Sequence, residues 1–272
     1  MRFLVFFLAC GLFFIADAQA QWPRQPGSGY VQVSYGSAST DRAFLANGER
    51  GTLGSTDRPE EFDETAIYVY GEFGVLPNLT LIGNAYTKRM EATTPDETFF
   101  NSGWADAFVY LRYSLPQLGP VVLSPQVGVK VPLGYDVEET PPLGSSETDL
   151  HFHLLGGASL HPFPGYVGAS AGYQVRQGIP ENEWILHAEA GAFLDPRILL
   201  RVRVDRTNSV TDTGTAISTL GLVPEQGYTT VGPGLSLIVH ENVQAHFDLR
   251  WTVDGRTTAA LTKFFAGIAY VW

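Results

Sequence analysis

The closing stretch Ala259–Trp272 limits this chain more than any other. Thr262, Phe264, Ala266, Ile268, Tyr270 and Trp272 fall at every second position, and Lys263, Phe265, Gly267, Ala269 and Val271 fill the places between them. An apolar and aromatic row of period two is one side of a β-strand. A strand that stops on its last aromatic predicts a terminus held in a sheet.

The same period runs through the whole chain in about twelve segments, set apart by connections that are alternately tight and long. They are Gly29–Ala38, Thr65–Val75, Leu79–Glu91, Gly103–Leu115, Val121–Tyr135, Thr148–His161, Tyr166–Gln177, Glu183–Leu194, Arg197–Asp205, Gln226–His240, Val243–Asp254 and the closing strand. The fourth is the plainest, with Ala105, Ala107, Val109, Leu111 and Tyr113 alternating with Asp106, Phe108, Tyr110 and Arg112. Pro125 and Pro132 fit the fifth poorly, because proline removes a ladder donor. Gly232-Pro233-Gly234 precedes no helix, so it predicts a bulge in the tenth strand rather than a phosphate loop.

Three observations separate a membrane barrel from a soluble sandwich. Many segments reach about ten residues, the span of a tilted transmembrane strand, whereas ordinary strands average about five to six. The long connections, Ser39–Glu64, Ala92–Ser102, Asp136–Glu147 and Arg206–Glu225 among them, alternate with tight turns, as they do when the two ends of a barrel face different compartments. Aromatics sort to the ends of the apolar rows: Phe73, Tyr113, Tyr270 and Trp272 near the tight turns, and Tyr135, Tyr173, Trp184 and Trp251 near the long loops. Two such girdles are what two membrane interfaces select. The expected fold is an all-β, antiparallel, up-and-down transmembrane barrel of about twelve strands, in one domain, residues 21–272.

Residues 1–20 read as a cleaved export signal: Arg2, the apolar block Phe3–Ile15, then Ala18-Gln19-Ala20 before Gln21. The block is too short for a membrane anchor, which needs about 20 apolar residues. Cys10 sits in a poor lipobox and leaves with the signal. A mature chain without cysteine needs no disulfide and has no thiol chemistry.

The formal net charge is −11, with many acidic residues in the long connections. That balance argues against nucleic acid and describes a solvated acidic exterior, or carboxylates that bridge through divalent ions to lipopolysaccharide phosphates. On the face opposite the apolar rows lie Arg112, Lys130, Arg176, Arg197, Arg201, Arg203, Arg250 and Lys263, with Glu72, Asp106, Glu189 and Asp248. An arginine near the midplane of the lipid face costs about 2–4 kcal/mol, so these groups must face water or one another. They either pair into a network that stiffens a narrow barrel, or line a conduit biased toward anions and polarised solutes. The tight turn between segments eight and nine sets Glu189 across from Arg201 or Arg203. Asp149, His151 and His153 share one face and form a weak metal candidate that lacks a third and fourth ligand from elsewhere. No cofactor is called for. No apolar face carries a Ser and a His together, as a lipid-facing hydrolase requires.

The closing row resembles the end of bacterial outer-membrane β-barrels, which the barrel assembly machinery recognises; Trp272 stands where Phe is commoner. Tyr70-Gly71 through Leu79-Thr80-Leu81, Gly103-Trp104-Ala105-Asp106, Leu111-Arg112-Tyr113-Ser114-Leu115 and Val129-Lys130-Val131-Pro132-Leu133-Gly134 resemble a transporter-like outer-membrane family named for a meta-pathway of phenol degradation. Members more often have Gly-Asp at Ala105-Asp106. The resemblance implies a barrel in a Gram-negative outer membrane that accompanies hydrocarbon or aromatic catabolism, and it transfers no binding residues. The expected function is passive passage of small solutes. A closed structural or surface-binding barrel, or a lipid-modifying enzyme, are the alternatives.

Overall fold

Fifteen strands make up the regular structure of the computed structural model, which describes residues 22–54, 57–177, 181–210 and 226–272. In chain order they are β1 (Gly29–Thr40), β2 (Arg42–Phe44), β3 (Arg50–Thr52), β4 (Glu61–Leu76), β5 (Leu79–Thr93), β6 (Thr98–Tyr113), β7 (Val121–Pro132), β8 (Asp149–Ser159), β9 (Gly165–Val175), β10 (Glu183–Asp195), β11 (Ile198–Ser209), β12 (Gly227–His240), β13 (Val243–Arg256), β14 (Thr258–Ala259) and β15 (Thr262–Val271). The export signal expected at residues 1–20, and most of the Arg206–Glu225 connection, lie outside the described residues.

Twelve of the strands close into a barrel in the order β1-β15-β13-β12-β11-β10-β9-β8-β7-β6-β5-β4, and β4 returns to β1. Every neighbouring pair is antiparallel. The closing strand completes the cylinder against β1, with Tyr35 opposite Ala266 on one side and Ile67 on the other. Closure gives each strand two partners and leaves no edge, which is the condition for crossing hydrocarbon with strands. The short strands β14, β2 and β3 form a separate sheet among the long loops.

The wall is apolar outside and polar inside, the inverse of a soluble sandwich. Val202 and Ile268 are 53% and 64% exposed, while Arg112 and Glu72, on the other parity, are 3% and 5% exposed. At the tight-turn end Phe73, Tyr113, Tyr270 and Trp272 ring the outside, and Tyr270 stacks on Trp272 at 6.1 Å. Trp184 and Trp251 are exposed toward the other end, with Tyr173 against Trp184 at 4.8 Å.

Several local expectations are corrected. Tyr135 belongs to no girdle: it turns inside and is buried with Ala43, Leu53, Phe62, Met90, Ala105 and Leu143 in an apolar cluster that draws in the long loops. Ala105 leaves the outer row because β6 bulges there. Ala85 pairs with Ala107 and Thr87 with Trp104, so Ala105 and Asp106 together oppose Tyr86 and both are buried. The Ala92–Ser102 loop is a hairpin instead, since β5 runs to Thr93 and β6 starts at Thr98. The register across Gly232–Gly234 is continuous, and the slips in that pair fall at Thr229/Thr230 and Ile238/His240. Glycine is needed at Gly232 for a different reason: a Cβ there would collide with the carbonyl oxygen of Leu249.

Candidate functional site

Alternation gives every barrel strand an inner row, and these rows line one lumen in three tiers. At the tight-turn end the segment before β1 enters the barrel. The Arg24 amide donates to Thr80 Oγ1 at 3.1 Å, and its guanidinium Nε donates to Glu72 Oε2 at 2.7 Å. Arg112 reaches the other oxygen of Glu72 at 3.6 Å and donates to Gln126 Oε1 at 3.0 Å, and the Tyr70 hydroxyl donates to the same carboxylate. The ring of Tyr30 lies under Arg24. Its hydroxyl approaches His246 Nε2 at 3.2 Å, and His246 Nδ1 meets Ser236 Oγ at 2.9 Å. Two guanidiniums on one buried carboxylate make this tier tight.

At the long-loop end the β7–β8 connection folds inward. Lys130 Nζ meets Asp149 Oδ2 at 2.6 Å and donates to Ser145 Oγ at 2.7 Å, and Asn101 donates to the Pro141 carbonyl at 2.9 Å. Tyr135 donates to Asp106 Oδ1 at 2.7 Å and accepts from the Ser146 amide at 2.9 Å. Arg176 Nε lies 3.6 Å from Asp149, and Arg176 Nη1 donates to Glu183 at 2.9 Å. Burial and the bond to Asp106 hold the Tyr135 phenol well above its ordinary range, so it stays a donor.

The middle tier is mostly half-buried, with Tyr166, Glu189 and His151 buried, and splits into two arcs. On β10–β13 run ion pairs: Glu189–Arg203 at 2.8 Å with the Tyr166 hydroxyl donating to Glu189, Arg201–Asp248 at 2.9 Å, and Asp205 with His187 at 2.7 Å. Arg250 comes within 3.8 Å of Asp205, and its Cζ lies 5.1 Å above the Phe265 ring centre. The other arc is aromatic. Phe265 to Tyr68 is 5.8 Å, Tyr68 to Tyr86 5.3 Å, Tyr86 to Phe108 6.4 Å and Phe108 to Tyr110 6.3 Å, ending on His151 and His153. Gly128 lets Tyr110 lie over β7, since a Cβ there would strike its ring.

Eleven of the twelve expected lining residues therefore face inward, and Glu189 pairs with Arg203 across β10–β11 in the expected register. Arg197 is the exception. It is exposed in the β10–β11 turn, where its amide donates to Asp195 Oδ1 at 2.9 Å, because β11 begins only at Ile198. The weak metal candidate is corrected too: Asp149 is taken by Lys130 and Gln174, and no three His, Cys, Asp or Glu side chains among the described residues form a metal site. The sequence reading missed Asp205 and the aromatic arc, although both share the inner parity. It also missed Arg24, which precedes any periodic segment. A cleft of about 550 Å³ lies at the long-loop end between the ends of β5 and β6 (Arg89, Phe100, Asn101, Ser102) and the β7–β8 connection (Glu139, Thr140), and shares no lining residue with the middle tier.

The sequence matches no family model and no curated protein. Solved structures do match. The COG4313 outer membrane channel from Pseudomonas putida F1 shares 14% identity at a TM-score of 0.72, covering 94% of this chain and 99% of that one. The KdgM porin shares 9% over 89% of this chain and 99% of its own, at a TM-score of 0.52. The translocator domain of the autotransporter NalP from Neisseria meningitidis has the same TM-score at 10% identity, covering 91% and 89%. A channel, a porin and a translocator on one architecture show the fold and leave function to the lumen.

Proposed function

We propose that the chain is an outer-membrane channel, a narrow conduit that passes small solutes by diffusion. The observation that carries this reading is the middle tier, where a set of ion pairs and a run of aromatic rings, most of them partly exposed, line the inside of a closed wall. Fixed charges beside water-accessible space select solutes by size and charge. The channel and porin among the similar folds support the same reading. On it, the acidic outer loops meet lipopolysaccharide through divalent ions, and β15 is the strand that the assembly machinery takes. A hydrolase is disfavoured, because the pair Ser236–His246 faces the lumen, away from lipid, and its His Nε2 is already engaged by Tyr30.

Both ends of the lumen are tied by ion pairs, which favours a small pore and is also what a closed structural barrel has. Single-channel recording in planar bilayers separates the two. Discrete steps of small conductance support the channel, and a silent, correctly folded barrel supports the closed reading.

A further inference from the structure

The outer wall departs from its own pattern at the top of β6. That strand begins at Thr98, but its last pair with β7 is Asp106 with Pro132, so Thr98–Ala105 has a strand partner on the β5 side only. The β7–β8 connection takes the other side. The Leu133 amide donates to the Ala105 carbonyl at 2.9 Å, and Asn101 Nδ2 donates to the Pro141 carbonyl at 2.9 Å. These bonds hold Glu139 and Thr140 beside Arg89, Phe100 and Ser102, and the cleft of about 550 Å³ lies between the two sets. Small-molecule sites run from about 300 to 1,000 Å³.

The cleft sits at a telling height. Arg89, Phe100 and Ser102 are exposed on the outward parity, with Arg89 directly across from Ser102, and Trp104 follows on the same outer row at 54% exposed. Tryptophans at a barrel end mark the membrane interface, and Trp184 and Trp251 are exposed toward the same end. Two residues along a strand is about 7 Å, which puts Ser102 and Arg89 just beyond Trp104, in the headgroup layer of the outer leaflet. Arginine on a lipid-facing row is tolerated there and costly deeper. Among the described residues Arg89 makes no ion pair or hydrogen bond; its Cζ lies 5.4 Å from the Phe100 ring centre, which leaves its N–H donors to a ligand.

The site is not simply cationic, because Glu139 lines the cleft and Glu91 stands on the outer row opposite Phe100. A guanidinium, a carboxylate, the hydroxyls of Ser102 and Thr140 and an exposed ring together match a phosphorylated sugar. The guanidinium pairs with the phosphate, the carboxylate and hydroxyls take the sugar hydroxyls, and the ring carries the C–H face of the sugar. We propose that this cleft binds the phosphorylated sugar headgroup of an outer-leaflet lipopolysaccharide, with Arg89 on the phosphate, Phe100 against the sugar ring and Glu139 on its hydroxyls. The contact is direct and needs no bridging divalent ion. It lies outside the lumen, so it stands whether or not the barrel conducts.

The test uses the full-length mature barrel in detergent, with heat-modifiable gel migration as the folding check and EDTA present throughout to remove divalent bridging. Calorimetry measures binding of lipid A, enzymatically dephosphorylated lipid A, phosphatidylglycerol and glucosamine phosphate. Lipid A is expected to bind about tenfold more tightly than the dephosphorylated form, which lacks the anion, or phosphatidylglycerol, which lacks the sugar. Arg89→Gln should lose about tenfold of the lipid A affinity and Phe100→Ala about fivefold, while Arg197→Gln, at the opposite end of the barrel, should bind as the parent does. Equal binding of lipid A and either of the two other lipids, or an Arg89→Gln barrel that binds lipid A as the parent does, overturns the site. An Arg197→Gln loss equal to that of Arg89→Gln does so too, since it would reflect net charge alone. Tighter binding of glucosamine phosphate than of lipid A would make the ligand a free sugar phosphate and overturn the lipid assignment.

Discussion

Arg24 and Glu72, 48 positions apart in the chain, form a 2.7 Å ion pair inside the barrel, and both are buried. The pair fastens the segment before β1 into the barrel, so the inside of the tight-turn end is occupied in part by a residue that belongs to no strand. Glu72 also holds Arg112, which makes it the hinge of this tier. Replacing Glu72 by Gln leaves two buried guanidiniums facing a neutral group. Breaking a buried pair from one side costs about 3–5 kcal/mol, and urea unfolding of the barrel in vesicles should show a loss of that order. A variant as stable as the parent would contradict the role given to Glu72.

Arg24→Ala removes the guanidinium and leaves Glu72 paired with Arg112. The expected outcome is a higher single-channel conductance with a smaller loss of stability than in Glu72→Gln. Unchanged or reduced conductance would place the narrowest point elsewhere.

The inward loop makes a separate prediction. Tyr135 is outside the strands, and burial together with Asp106 raises its phenol above the ordinary value near 10. A raised tyrosine contributes stability that is fully present below the unfolded value and is lost only as pH climbs through the folded one. Conductance and loop protection should therefore stay flat from pH 7 to about 10, the ordinary phenol value, and change above it. Tyr135→Phe removes the bond at all pH values, costs about 1 kcal/mol and abolishes that high-pH change. Hydrogen exchange at Gly144–Ser146 reads both.

The barrel was legible because one rule, alternation, is written twelve times over. An outer row such as Val127, Val129 and Val131 cannot be mistaken once the segment is long enough, and the same parity carried Glu189 to Arg203. Alternation fails where the backbone slips or stops. The β6 bulge sends Ala105 inward, the turn at Asp195–Arg197 takes Arg197 out of the lumen, and the Pro141–Ser145 stretch turns inside for contacts that no period encodes. Arg24 could not be read at all, since a single cation before the first strand has no neighbours in sequence to mark its face. The aromatic arc was readable in Phe108 and Tyr110, aromatics on a polar row, but only the closed topology brings Phe265 beside Tyr68.

The outward row makes its own claim on lipid. Val202→Arg places a charge at mid-strand on the outer face of β11 and should destabilise the barrel in vesicles by about 2–4 kcal/mol. The same substitution on the surface of a soluble sandwich would cost little, so a loss well under 1 kcal/mol would argue against a hydrocarbon-facing wall.

The account turns on which face of the wall meets water and whether that water is continuous. Cysteine substitution answers directly, because the sequence has one cysteine, Cys10, within the predicted export signal. Asn84→Cys and Val109→Cys place a thiol on the inner and outer rows of neighbouring strands, and a charged, water-soluble thiol reagent is added during single-channel recording. The account predicts that the reagent blocks current through Asn84→Cys barrels and leaves Val109→Cys barrels unchanged. Block of the Val109→Cys barrel alone, or no current steps from the unsubstituted protein, would contradict it.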